Sequence, residues 1–329
     1  MTDIILAAAY FCASAALCAG IVFMMLKSGL AWRLATDIPN ERSLHVLPTP
    51  RVGGLAIVPV AVVLMLVAAP ALWPAAAGAL FLALVSQIDD RRGLSARTRF
   101  AAHLAAIIGF LLIERGALAW LWFPVLAVAM AWLVNLYNFM DGADGLAGGM
   151  AVFGFGGYAA AALFGPHPEP QFGMAAAAVA GAALGFLVFN FSPARIFLGD
   201  AGSIPLGFLA GAFGYWGWRH DVWPIAFAPL VFAPFIADAS VTLARRLLQG
   251  KKFWEAHREH YYQRMIRSGA GHRTTAILWY GVMLIGTMLA FFLLSLPLLS
   301  QCLLLGIWAV VLAALALAID RRWRRSIAG

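Results

Sequence analysis

The chain has 329 residues, of which 63% are hydrophobic and 12% charged, with a formal net charge of +8. No soluble domain buries that much apolar surface, so a soluble enzyme or binding module is excluded and a polytopic membrane protein is expected. The positive excess belongs to membrane topology rather than to nucleic acid. Cys12, Cys18 and Cys302 lie in apolar runs without a CxxC pair, which excludes a disulfide framework or zinc ribbon.

In chain order, apolar segments recur at about residues 4–26, 53–72, 75–88, 100–113, 117–137, 146–164, 172–189, 203–218, 223–244, 276–297 and 301–319. The expected fold is all-α: one transmembrane domain over residues 1–329 with about eleven membrane helices. The first run has no basic residue before it and no small-residue cleavage site, so it reads as a retained span. With the N-terminus outside, the loops near 27–52, 89–99, 138–145, 190–202 and 245–275, and the tail after 319, are cytoplasmic. These segments hold 21 of the 23 Lys and Arg residues, leaving Arg115 and Arg219 outside. That asymmetry predicts an outside N-terminus and a cytoplasmic C-terminus. No internal repeat is evident.

Three apolar runs end in acids on that one face. In the central stretch, Asn138, Asp141 and Asp144 are spaced three apart, which on a helical turn is one side. A carboxylate costs about 3 kcal/mol at a bilayer centre, so these lie at the water boundary. Oxygen ligands at that spacing suit Mg²⁺. The DGxDG order lacks the later ligands of a calcium-binding EF-hand loop. Asp89 and Asp90 precede Arg91 and Arg92, and are either a solvated pair neutralised by those arginines or a site for a metal. Asp200, between Gly199 and Gly202, is either a helix cap or a carboxylate beside a phosphate-binding helix N-terminus.

The first cytoplasmic loop, rich in proline, carries Arg42, His45 and Arg51, which either face an anionic ligand or form a rigid basic loop. His103 reads as a satisfied interfacial histidine. Asp238, inside the ninth segment, is either functional or paired with Arg245 or Arg246. The last loop holds His257, Arg258, His260 and Arg264. Its excess of cations suits an anion better than a metal, or an interfacial helix on acidic lipid.

Taken in order, residues 39–45 with 48–51 and Gly53-Gly54, then Asp89-Asp90, residues 138–145, 197–203 and 257–260, resemble the polyprenyl-phosphate N-acetylhexosamine-1-phosphate transferase family. The resemblance covers about residues 37–273. The branch that makes phospho-N-acetylmuramoyl-pentapeptide lipids carries a triple histidine where this chain has His257-Arg-Glu-His260, so the O-antigen- or common-antigen-initiating branch is the closer likeness. The resemblance implies transfer of an N-acetylhexosamine 1-phosphate from a UDP-sugar to undecaprenyl phosphate with release of UMP. That would be the first membrane step of O-antigen, lipopolysaccharide or other cell-surface glycan synthesis, at the cytoplasmic side of a bacterial inner membrane.

It further implies Mg²⁺, with Mn²⁺ as the alternative, held by Asn138 and Asp200. Asp144 and Phe197 would engage the uracil. Asp89 and Asp90 would sit at the acceptor phosphate, with Asp89 assisting its deprotonation. His257, Arg258 and His260 would steady the donor. Asp141 completes the catalytic set, and Arg42, His45 and Arg51 the substrate-binding set. Direct attack and a covalent aspartyl phosphate both remain open, and a homodimer is compatible. The competing class is a transporter or flippase for an anionic sugar or lipid-linked sugar, which would place acids near the midplane and show repeated halves.

Overall fold

The computed structural model describes residues 1–39, 44–45, 47–252 and 257–328. Its helices are α1 (Thr2–Lys27), α2 (Leu30–Leu34), α3 (Gly54–Ala68), α4 (Trp73–Arg92), α5 (Ala96–Ile113), α6 (Trp122–Phe139), α7 (Leu146–Phe164), α8 (Pro170–Asn190), α9 (Asp200–Arg219), α10 (Phe227–Val231), α11 (Ala233–Leu248), α12 (Tyr261–Met265), α13 (Gly271–Leu293) and α14 (Leu298–Ala328). The strands β1 (Thr36–Asp37) and β2 (Thr49–Pro50) pair antiparallel. The all-α, polytopic expectation holds.

Eight helical stretches among the described residues are long and apolar enough to cross a membrane, while α3 is apolar but shorter. Each expected apolar segment coincides with helix, but the ninth is divided. Residues 223–244 form α10 and α11, and Pro234 sits in the first turn of α11. A proline lacks the N–H and crowds the preceding turn, so the chain breaks there and restarts. α11 then buries Asp238, Thr242 and Arg246.

The centre of the bundle is α8, whose alanines and glycines let neighbours approach to backbone distance. A Cβ on Gly181 would lie 2.2 Å from the carbonyl oxygen of Phe11, and one on Gly185 2.2 Å from that of Ala15. Ser14 Oγ donates to the Ala178 carbonyl at 2.6 Å and fixes the register of α1 on α8. Towards one end the core is aromatic. The rings of Phe172 and Trp216 stack at 4.6 Å, and those of Tyr158 and Trp223 at 4.9 Å. Their polar atoms are satisfied: Tyr158 Oη donates to Ala210 O at 2.8 Å and Trp223 Nε1 to Gly214 O at 3.1 Å. The opposite end gathers the starts of α3, α7, α9 and α13 with the ends of α4, α6 and α8, and there the acids meet.

Candidate active site

The site is framed by main-chain bonds. Phe197 N donates to Pro50 O at 2.7 Å, Gly53 N to Phe197 O at 2.9 Å and Gly54 N to Leu198 O at 2.9 Å. The first loop is thereby laced to the segment before α9. Gly199 has φ +73°, and its position beside the Arg51 carbonyl leaves a Cβ only 3.0 Å of clearance. The starts of α3 and α9 touch so closely that a Cβ on Gly54 would lie 2.3 Å from Gly202 N. Gly54→Ala must push these helix starts away from each other. It is expected to cost about 1–3 kcal/mol, read as a lowered unfolding temperature in detergent.

Within this frame Arg51 joins two acids. Its Nη2 donates to Asp90 Oδ1 at 2.9 Å and to Asp200 Oδ1 at 2.8 Å. Asp90 ends α4 and Asp200 begins α9, where an acid is favoured by the helix dipole. Asp89 points elsewhere: Oδ1 accepts the Leu94 N–H at 2.5 Å, and Oδ2 lies 3.4 Å from Arg99 Nη1. The adjacent carboxylates thus diverge and take Arg51 and Arg99, not the neighbouring Arg91 and Arg92, which are exposed.

A cavity of about 330 Å³ opens beside Arg51. His45, Arg51, Asn138, Asp141, Asp144, Phe197 and Asp200 all contribute to its wall. Asn138 Oδ1 accepts from Ser203 Oγ at 2.9 Å. Burial pushes the Asp141 carboxyl well above the usual carboxylate range; Arg51 opposes this, Asp200 adds to it, and the Gly199 backbone opposes it. Asp144 is held below its usual value because His272 and the Ala194 N–H together outweigh burial. His272 Nδ1 lies 3.3 Å from Asp144 Oδ1 and 3.2 Å from Asp144 N, and its Nε2 lies 3.3 Å from the Leu44 carbonyl. Facing a carbonyl, Nε2 carries a proton. Nδ1 then accepts from the Asp144 N–H in the neutral ring, or donates to the carboxylate in the charged one.

The remaining loops are tied to the same wall. Asn190 Oδ1 accepts the Gly145 N–H at 2.9 Å while its Nδ2 donates to Ile196 O at 2.8 Å. Tyr280 Oη donates to Gly145 O at 2.7 Å. Tyr262 Oη donates to Phe139 O at 3.1 Å and accepts from Gln263 Nε2 at 3.1 Å. The rings of His45 and Phe197 meet edge-on at 4.8 Å, and His45 Nε2 is buried without a partner among the described residues.

Other expected site residues lie outside the wall. Asp90 stands behind Arg51, with Asp89 turned away. His260 is buried, its Nδ1 3.1 Å from Asp238 Oδ1. Asp238 also accepts the N–H of Tyr261 at 2.9 Å and of Tyr262 at 3.0 Å, which makes it the acceptor that begins α12. Neither expected arginine reaches it: Arg245 pairs with Asp320 and Arg246 with Glu259. The His257 ring is 5.0 Å from that of His260. Burial and neighbouring positive charge push His257 down to about 4, so it is neutral near pH 7. Arg258 offers its carbonyl to Arg267 Nη1 at 3.1 Å. Arg42 lies outside the described residues. His103 departs from expectation: it is buried, and its Nδ1 has no partner among the described residues. The sequence reading missed Asp37, Leu44, Asn190, Tyr262, Gln263 and His272 in the wall. His272, a polar residue in the first turn of a long apolar helix, was the most visible of these.

Among the described residues no three His, Cys, Asp or Glu side chains cluster as a metal cage. The donors present are nevertheless hard oxygens from Asn138, Asp141 and Asp200 in one cavity. Burial raises the Asp141 carboxyl, and a cation bound beside it would favour its ionised form. That set fits Mg²⁺, which keeps waters and takes few protein ligands, rather than a soft metal.

Fold and site together define a polytopic helical membrane protein with an acid-lined cavity at one end of its bundle. The sequence pattern of glycosyl transferase family 4 matches residues 72–217, from α4 to α9. A decaprenyl-phosphate N-acetylglucosaminephosphotransferase of Mycolicibacterium smegmatis is 32% identical over 77% of this chain and 74% of its own length. A Bacillus subtilis protein named "Probable undecaprenyl-phosphate N-acetylglucosaminyl 1-phosphate transferase" is 29% identical over 75% of this chain and 74% of its own. A phospho-N-acetylmuramoyl-pentapeptide-transferase of Bacillus thuringiensis is 35% identical over 35% of this chain and 40% of its own. The chain belongs to glycosyl transferase family 4.

Proposed function

We propose that the protein transfers an N-acetylhexosamine 1-phosphate from a UDP-sugar to undecaprenyl phosphate, releasing UMP, at the cytoplasmic side of a bacterial inner membrane. The product would begin an O-antigen or another cell-surface glycan. The observation that carries this reading is the convergence of Arg51, Asn138, Asp141, Asp144 and Asp200 on one cavity. The names of the relatives supply the reaction class, and the distribution of basic residues supplies the orientation.

In the reaction an acceptor phosphate oxygen attacks the sugar-bearing phosphorus of the donor. One phosphoanhydride forms as the bond to UMP breaks, and UMP leaves as the anion. Two anions must meet, so positioning and charge neutralisation do most of the work. Arg51 places a fixed cation between Asp90 and Asp200. Asn138, Asp141 and Asp200 would hold Mg²⁺, which neutralises the donor pyrophosphate when bound. Asp144, oriented by His272, and Phe197, seated by main-chain bonds, would receive the uracil. His257, neutral near pH 7, offers a hydrogen bond rather than a charge.

A transporter reading draws no support from Asp238, the one acid within the ninth segment, because all its bonds serve α12 and its surroundings. The test is UMP release by purified protein with undecaprenyl phosphate and Mg²⁺ across several UDP-N-acetylhexosamines. UDP-N-acetylglucosamine comes first, because the relatives' names carry that sugar. Release that requires both lipid and Mg²⁺ is the expected result; none with any donor, from folded protein, sinks the assignment.

A further inference from the structure

The turn that carries Asn138 and Asp141 begins where α6 stops. Phe139 is the last residue of α6, and its carbonyl accepts no main-chain N–H among the described residues. An orphan carbonyl at a helix end needs a donor from elsewhere. Tyr262, fully buried, supplies it: Oη donates to Phe139 O at 3.1 Å. Gln263 Nε2 donates to the same hydroxyl at 3.1 Å, which leaves the phenol's own proton for the carbonyl. The hydroxyl also fills the space beside Gly142, where an added Cβ would lie 2.2 Å from Tyr262 Oη.

The start of α12 thus grips the turn. Besides the Tyr262 bond, the His260 ring lies 6.1 Å from that of Phe139. Asp238 on α11 holds this start through the N–H groups of Tyr261 and Tyr262. From the other side, Ser203 on α9 donates to Asn138 Oδ1 at 2.9 Å. The turn bears two of the three oxygen donors that fit Mg²⁺. It is clamped between α9, which bears the third, and α12, which bears none.

Resting on the Mg²⁺ site proposed above, we infer that Tyr262 is a positioning residue for that site: its hydroxyl sets where Asn138 and Asp141 stand relative to Asp200. Mg²⁺ demands near-octahedral geometry at about 2 Å, so its affinity depends on how its ligands are spaced. A turn released at Phe139 keeps every ligand side chain but loses the brace that spaces them. The last loop then acts on the cation through the main chain of residues 139–142, without supplying a ligand.

The test titrates full-length protein in mild detergent with Mn²⁺, the free ion being read from its EPR signal. It needs no turnover. The parent should show a site that is lost in Asn138→Ala. Tyr262→Phe keeps the ring and removes the hydroxyl, and Gly142→Ala displaces the hydroxyl from the opposite side. Each should weaken Mn²⁺ about 10-fold, as loss of a group that orients a ligand does. Because both break one contact, the double variant should also lose about 10-fold, whereas independent effects would multiply to about 100-fold. The Mg²⁺ needed for half-maximal UMP release should rise by a similar factor, with release recovering at saturating Mg²⁺. A merely structural tyrosine would lower the unfolding temperature and leave Mn²⁺ affinity alone. Unchanged affinity in both single variants, or losses that multiply in the double variant, overturns the role of Tyr262 while the cation site stands. A parent with no Mn²⁺ site sensitive to Asn138→Ala refutes the cation site itself, and the role of Tyr262 with it.

Discussion

Asp200→Asn is expected to lower UMP release by about 10²–10³-fold or more while leaving the protein folded. The amide has the shape of the carboxylate and keeps an oxygen for Arg51, now 2.8 Å away. What it removes is a negative charge at the one point where α9, the first loop and the cavity meet. Arg51 would then lean on Asp90 alone, and the proposed cation would lose a formal charge among its ligands. Thermal unfolding within a degree or two of the parent, together with the loss of turnover, separates chemistry from folding. Near-normal release at saturating Mg²⁺ would remove Asp200 from the reaction. Arg51→Lys should be nearly as damaging, because an ammonium cannot reproduce the planar fork that reaches two carboxylates.

The second large effect is on stability. Asp238→Ala should cost about 3 kcal/mol or more, since it strands several buried donors at once. Asp238 is 2% exposed. Its Oδ1 faces the Tyr261 N–H, His260 Nδ1 and Thr242 Oγ1, and its Oδ2 the Tyr262 N–H. With these lost, the start of α12 keeps the Arg245–Tyr261 contact to α11 but not its Asp238 anchor, and the segment carrying His257 and His260 should become open to protease. Asp238→Asn should be milder: its oxygen can serve the Oδ1 side, and only the Tyr262 N–H meets an opposing amide. Equal protease resistance in the alanine variant would show that the loop is held from elsewhere.

Much of the cavity wall was legible in the sequence for a physical reason. In a chain with 12% charged residues, acids and arginines at the ends of apolar runs stand out, and they are expensive enough to need partners. Arg51, Asn138, Asp141, Asp144 and Asp200 were found that way. What could not be read was which partner each takes. Asp89 and Asp90 sit beside Arg91 and Arg92 in sequence, yet α4 turns them toward Arg99 and Arg51. Asp238 is close to Arg245 along the chain, but Arg245 is claimed by Asp320, 75 residues further on. Pairings of that range depend on helix packing. Asn190 escaped notice because it acts on backbone groups, which leave no pattern in side-chain spacing, and His272 because Asp144, its partner, lies 128 residues away in the chain. The division of the ninth segment was hidden by its unbroken hydrophobicity, although Pro234 marks the place.

The lacing of residues 50–54 to residues 197–198 runs entirely through N–H and C=O groups. Such bonds are indifferent to the side chains that hang from them, apart from the glycines the geometry needs. The scaffold and the recognition surface are thus separable inheritances. His45 and Phe197 can be exchanged for other residues while the crosslinked backbone keeps its course. A family built on this plan can drift in what it recognises without rebuilding how it folds. Replacing either is expected to change the cavity wall while the seam beneath stays intact.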